Sequence, residues 1–124
     1  MTLPKSQWVT IRHLPSGQII ARKAWLAQAM LTRMRGMLGR SFGSFDAMIF
    51  PRCNAIHMWF MAQALDILFV DESWTITSSR HDLQPWKLAR DGSSKHTIEL
   101  PAGALSTLPF AAGDQLQIQP LDQD

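Results

Sequence analysis

Residues 65–78 read Leu65-Asp66-Ile67-Leu68-Phe69-Val70-Asp71-Glu72-Ser73-Trp74-Thr75-Ile76-Thr77-Ser78, and this stretch decides the fold class. Leu65–Val70 is apolar except for Asp66. A short apolar run bounded by turn residues reads as a buried strand. Asp71-Glu72-Ser73 supplies the turn. Trp74–Ser78 then alternates apolar and polar residues, the pattern of a second strand.

Toward the N-terminus, Ile56–Met61 is another apolar run, expected to pair with Leu65–Val70 across Ala62–Ala64. Ala47–Phe50 is a short apolar strand ended by Pro51, and Arg40–Phe45 is a loop. Ala24–Leu38 changes character. Leu26, Met30, Met34, Met37 and Leu38 recur at three- and four-residue spacing, which predicts one helix closing at Gly36 and Gly39. Before it, Gln7–Leu14, Pro15-Ser16-Gly17 and Gln18–Ala21 predict a hairpin. Toward the C-terminus, Arg80–Ser94 is polar and reads as irregular around Pro85-Trp86. Thr97–Leu100 is a strand closed by Pro101-Ala102-Gly103, Ala104–Leu108 is one helical turn, and Gln115–Gln119 is a last strand. Many short strands and one helix predict a mainly β fold, α+β at most. The expectation is a compact antiparallel β-barrel or jelly-roll-like sandwich with one helix near residues 27–38.

At 124 residues the chain is expected to form a single domain over 1–124. Hydrophobic residues are 46% and charged residues 18%, which excludes disordered, collagen-like and coiled-coil classes. The lone Cys53 excludes an internal disulfide framework and a four-cysteine zinc module. Residues 1–52 carry eight basic residues against Asp46, while residues 53–124 carry four basic and nine acidic. The basic residues are scattered along the sequence, so pairing between the halves is favoured over a nucleic-acid face. Ala47–Val70 is the most apolar stretch, but Pro51, Arg52, Asn54, His57, Gln63 and Asp66 interrupt it. It reads as core strands and not as a transmembrane segment. No apolar core follows the lysine within Met1–Val9, so the expected location is cytoplasmic. A monomer is expected.

Several segments together resemble a known family. They are Arg33-Met34-Arg35-Gly36-Met37-Leu38-Gly39-Arg40, Asp46–Phe50, Ile56–Met61 followed by Leu65–Asp71, Glu99-Leu100-Pro101-Ala102-Gly103, and Gly113-Asp114. In this order they are similar to the domain of unknown function 192, a small prokaryotic domain, over about residues 24–118. The resemblance implies a β-barrel or jelly-roll-like fold with a helix near its N-terminal side, and no assigned reaction. Phe60 stands where the family usually has glycine, and Ala64 where it usually has proline. Both changes bear on any pocket the family builds at Trp59–Leu65.

Three chemical readings attach to this core. Cys53, His57 and Asp66 could supply thiolate, imidazole and carboxylate to a metal, but a structural site needs a fourth ligand, so no metal and no cofactor are expected. Cys53 and His57 could form a nucleophile pair; a buried free cysteine beside a locally bonded histidine is the alternative. Asp66 lies in an otherwise apolar strand and needs a partner, for which Arg33, Arg40 and His57 are candidates. In the structural reading, Arg33 and Asp66 are anchors tying the helix end to the sheet. In the functional reading, Arg40, His57 and Asp66 converge in a pocket. Trp59 and Trp86 could add an aromatic wall, and the polar stretch Arg80–Ser94 also carries His81, Asp82 and Lys87. The candidate pocket is therefore Arg40, His57, Trp59, Asp66 and Trp86. The sequence favours a small non-enzymatic module that binds a small molecule or a protein segment. The alternative is a hydrolase or transferase acting on an anionic or sugar-like substrate through Arg40, His57 and Asp66, so catalysis stays open at this level.

Overall fold

The computed structural model describes residues 3–4, 6–29, 35–108 and 110–121. Among them, nine strands form two sheets. These are β1 (Trp8–His13), β2 (Ile19–Leu26), β3 (Ala47–Phe50), β4 (Ala55–His57), β5 (Leu65–Val70), β6 (Ile76–Leu83), β7 (Leu88–Arg90), β8 (His96–Pro101) and β9 (Leu116–Pro120). The large sheet has the order β6-β5-β8-β3-β2-β1-β9, and β4 pairs with β7 in a separate ribbon. The β2–β3 pair is parallel, while the other ladders are antiparallel. A parallel neighbour requires a long crossover, here residues 27–46.

The large sheet curls until its two ends meet. Thr75 bridges Gln115, Ile76 N–H donates to the Asp114 carbonyl at 2.8 Å, and Leu116 N–H donates to the Trp74 carbonyl at 2.9 Å. The result is a half-barrel. One buried cluster draws on strands right round the curl, including Ile11, Leu26, Ile49, Leu68, Trp74 and Ile98, and so fills the interior. A second cluster, with Met37, Met48, Phe50, Met58, Ile67 and Phe69, covers the outer face under the 35–45 segment and the β4–β7 ribbon. Alternate residues of β3 and β5 feed the two clusters. Both strands read as unbroken apolar runs for that reason: both of their faces are covered.

The fold is mainly β, as the strand pattern requires. Three local expectations are corrected. Ala24–Leu26 extend β2 instead of starting a helix, because Ala24, Trp25 and Leu26 pair with Ala47, Met48 and Ile49 of β3. Of the remaining helix expectation, residues 30–34 lie outside the described residues, and Arg35 is helical ahead of a turn over 36–39. β4 pairs with β7 and not with β5, because β6 and β8 occupy both edges of β5. Arg80–Ser94 is largely ordered: β6 runs to Leu83, and β7 pairs Ala89 with Ile56. The expected turn near Ala104 is a 3₁₀ helix over Ala104–Thr107. Among the described residues no helix is long and apolar enough to cross a membrane.

Candidate functional site: a groove over Glu99

β8 lies between β5 and β3 in the middle of the curled sheet. Its residue Glu99 is in register with Met48 on one side and Ile67 on the other, both members of the outer cluster. Residues directly opposite in a ladder share a face, so the Glu99 side chain lies among those apolar neighbours. It is 6% exposed. Among the described residues its carboxyl has no hydrogen-bond partner. Burial disfavours the charged form and pushes the Glu99 pKa up to about 8.

The carboxyl opens onto a groove of about 160 Å³ between the 35–39 turn and β4. Met37, Phe50, Ile56 and Met61 give it an apolar lining, and Cys53, His57 and Trp59 also border it. Gly36 shapes the floor. It sits at φ 55°, a conformation costly for residues with a Cβ. A Cβ there would lie 3.5 Å from the Phe50 ring and 3.9 Å from Glu99 Oε2. Arg35 also borders the groove, but its Nε donates to the Leu38 carbonyl at 2.9 Å.

The groove continues into an exposed aromatic tip. The His57 ring stacks on Trp59 with centroids 5.5 Å apart. Trp59 meets Trp86 at 6.2 Å, and Trp86 meets Phe60 at 4.8 Å. Phe60 is 71% and Trp86 57% exposed. Both have positive φ, 64° and 69°, a region bulky residues rarely occupy. The Met58 backbone holds the two tip turns together: its carbonyl accepts from Trp86 N–H at 2.7 Å, and its N–H donates to the Lys87 carbonyl at 2.7 Å.

The residues singled out from sequence are not brought together as a set. His57 and Trp59 line the groove, and Trp86 lies one ring beyond it. Arg40 is elsewhere: its guanidinium packs over Trp25 at 4.5 Å and donates to the Gly36 carbonyl at 2.9 Å. Burial, and after it repulsion from Arg35, lowers the Arg40 pKa. Asp66 is sealed at 1% exposure. Its Oδ1 accepts from Asp82 N–H at 2.7 Å, and its Oδ2 from Gly103 and Leu105 N–H at 3.0 and 2.9 Å. Asp66 thus anchors β6 and the 3₁₀ turn to β5; backbone amides fill the place expected for Arg40 or His57. Arg33 lies outside the described residues. The Cys53 thiol donates to the Ala55 carbonyl at 3.1 Å, so the thiol–imidazole contact of a nucleophile pair is not formed. Among the described residues no three His, Cys, Asp or Glu side chains cluster to hold a metal ion.

Glu99 escaped the sequence reading. In Thr97-Ile98-Glu99-Leu100 it occupies the polar phase of an alternating strand, which normally faces water. The signal available was its company: a carboxylate on a strand that proves central, next to a proline-glycine turn.

The family profile of DUF192, Uncharacterized ACR, matches residues 12–118. The chain belongs to the DUF192 family. A UPF0127 protein of Thermococcus sibiricus (strain DSM 12597 / MM 739) is 31% identical over 106 residues, covering 81% of this chain and 68% of that protein. Two solved structures share the DUF192 chain's fold at 22% identity. One is a protein of unknown function from Novosphingobium aromaticivorans DSM 12444, with a TM-score of 0.72 over 89% of this chain and 83% of that one. The other is a Sinorhizobium meliloti 1021 protein provisionally named a transcription regulator, with a TM-score of 0.73 over 94% and 98% of the two chains.

Proposed function

We propose that this DUF192 chain is a non-enzymatic binding module, a single-domain cytoplasmic monomer, whose groove over Glu99 receives part of a ligand. The observation that carries this reading is the Glu99 carboxyl, 6% exposed, which borders an open apolar groove and has no hydrogen-bond partner among the described residues. Among the described residues no fully sealed side-chain oxygen or nitrogen lacks a partner, so the Glu99 oxygens meet the open space of the groove, and what satisfies them there calls for an explanation. A ligand group that completes the hydrogen bonding is the explanation adopted here. The groove's volume of about 160 Å³ suits a ring or a short chain, since a site of about 150 Å³ holds one benzene. The aromatic tip beside it adds exposed apolar surface of the kind that marks interaction sites. The single free thiol agrees with a reducing compartment.

The competing reading, a hydrolase or transferase using Arg40, His57 and Asp66, needs those side chains to converge. Asp66 instead holds three backbone amides, and Arg40 lies on Trp25. A fragment screen read by amide chemical shifts tests the binding reading. Hits are expected to perturb Met37, Cys53, His57 and Trp59. Hits confined to the Trp8–Ala21 hairpin would overturn it.

A further inference from the structure

The chemistry of the groove narrows its occupant. The floor offers one acidic group, Glu99, among Met48 and Ile67 on its flanking strands. The walls are alkyl and thioether side chains with the Phe50 ring. The stacked His57–Trp59 pair also borders it. Among the described residues the ionisable acid and base side chains lining this space are Glu99, Arg35 and His57, and the Arg35 guanidinium is turned onto the Leu38 carbonyl.

An uncompensated carboxyl at the end of an apolar channel is complementary to a cation carried on an alkyl stem. The stem replaces water along the walls, and the cation pairs with the carboxylate where the local dielectric is low. An ion pair in such a place is retained only when geometry and hydrogen bonding are good. A primary ammonium is compact, has three donors and lies at the end of a slim chain. A guanidinium is a planar fork of five donors, most of which would face alkyl walls unpaired beside a single carboxyl. The aromatic pair adds a face on which a passing cation is stabilised.

We propose that the groove is a primary-ammonium site, with the ammonium against Glu99 and a chain of about four or five carbons between Met37 and Met61. This rests on the binding-module reading. Two sources share that chemistry, a free alkylamine and a lysine side chain of a partner protein.

The test uses n-pentylammonium chloride, N-acetyl-lysine methylamide and the neutral analogue 1-pentanol, each titrated into the full chain at neutral pH. Amide shifts are followed together with the Glu99 carboxyl ¹³C signal. Pentylammonium is expected to perturb the Met37, Cys53 and Trp59 amides saturably, to move the carboxyl signal to its ionised position, and to bind at least about tenfold tighter than pentanol. Glu99→Gln is expected to remove that preference. The carboxyl signal of the unmutated protein gives a readout independent of whether the variant folds. Tighter binding of the lysine derivative assigns the site to a protein segment, and tighter binding of pentylammonium to a free amine. Equal binding of pentanol and pentylammonium at the groove would overturn the ammonium assignment while leaving the binding module standing. No perturbation of the groove by any probe would overturn both.

Discussion

Replacing Asp66 by alanine removes the acceptor for three backbone amides at once, those of Asp82, Gly103 and Leu105. These amides belong to different parts of the fold, the bulged end of β6 and the turn entering the 3₁₀ helix. Asp66 itself is 1% exposed, so water does not readily take its place. A hydrogen bond to a charged acceptor contributes about 1.5–3 kcal/mol, and an orphaned buried donor costs a similar amount. Three such bonds at the low end of the range put Asp66→Ala at about 4 kcal/mol. That is a large part of the roughly 5–15 kcal/mol that stabilises an ordinary domain. For a chain of this size it corresponds to a fall in Tm of about 15 °C. Urea unfolding followed by tryptophan fluorescence measures it, with the m-value expected to stay unchanged. Asp66→Asn retains one acceptor oxygen but turns an NH₂ group toward the remaining donors, so it is expected to cost about 3 kcal/mol. In both variants the amides of Asp82, Gly103 and Leu105 should exchange faster than their neighbours. A loss of stability below about 1 kcal/mol for Asp66→Ala would refute the claim that this carboxylate anchors the two segments.

Three further outcomes follow from the same structure. Glu99 has a folded pKa of about 8, above its ordinary 4.5, so the stability it contributes is full below 4.5 and is lost as pH rises toward 8. Burial, chiefly, depresses the His96 pKa from 6.5 to about 4, so its contribution is full above 6.5 and is lost as pH falls through 4. Urea midpoints should therefore be level between about pH 5 and 6.5 and then fall by at most about 1.4 kcal/mol per pH unit up to pH 8; Glu99→Gln should abolish the alkaline fall, and an unchanged slope would contradict it. Phe60→Gly relieves a left-handed backbone at φ 64° and removes an exposed ring, so denaturation should show a gain of about 1 kcal/mol; a loss would show that the Phe60–Trp86 contact outweighs the strain. Elemental analysis of untagged protein should find zinc well below one per chain, because Asp66 is directed to backbone amides away from Cys53 and His57; one tightly held zinc per chain would contradict this.

Much of the sheet was legible because its strands are punctuated. β3 ends at Pro51, and β5 ends at Asp71-Glu72-Ser73, so their apolar runs could be bounded from the letters alone. Where neighbours far along the chain decide the conformation, local pattern misled. Ala24–Leu26 fits both a helical stripe and a strand, and the parallel pairing with β3 across 20 intervening residues selects the strand. Polar Arg80–Leu83 looked irregular because β6 is an edge strand with one partner, β5. At the site, His57 and Trp59 were found because they interrupt or enlarge an apolar run, and Asp66 was recognised as needing partners. Those partners were backbone amides, which no side-chain search can find. Glu99 was hidden because only the topology reveals that β8 is covered on both faces.

The claim on which this account turns is that the Glu99 carboxyl, without a hydrogen-bond partner among the described residues, borders an apolar groove and stays neutral at neutral pH. A pH titration of its side-chain carboxyl ¹³C signal, assigned by comparison with Glu99→Gln, measures this directly. The account predicts a midpoint near 8, and a midpoint near the ordinary 4.5 would contradict it.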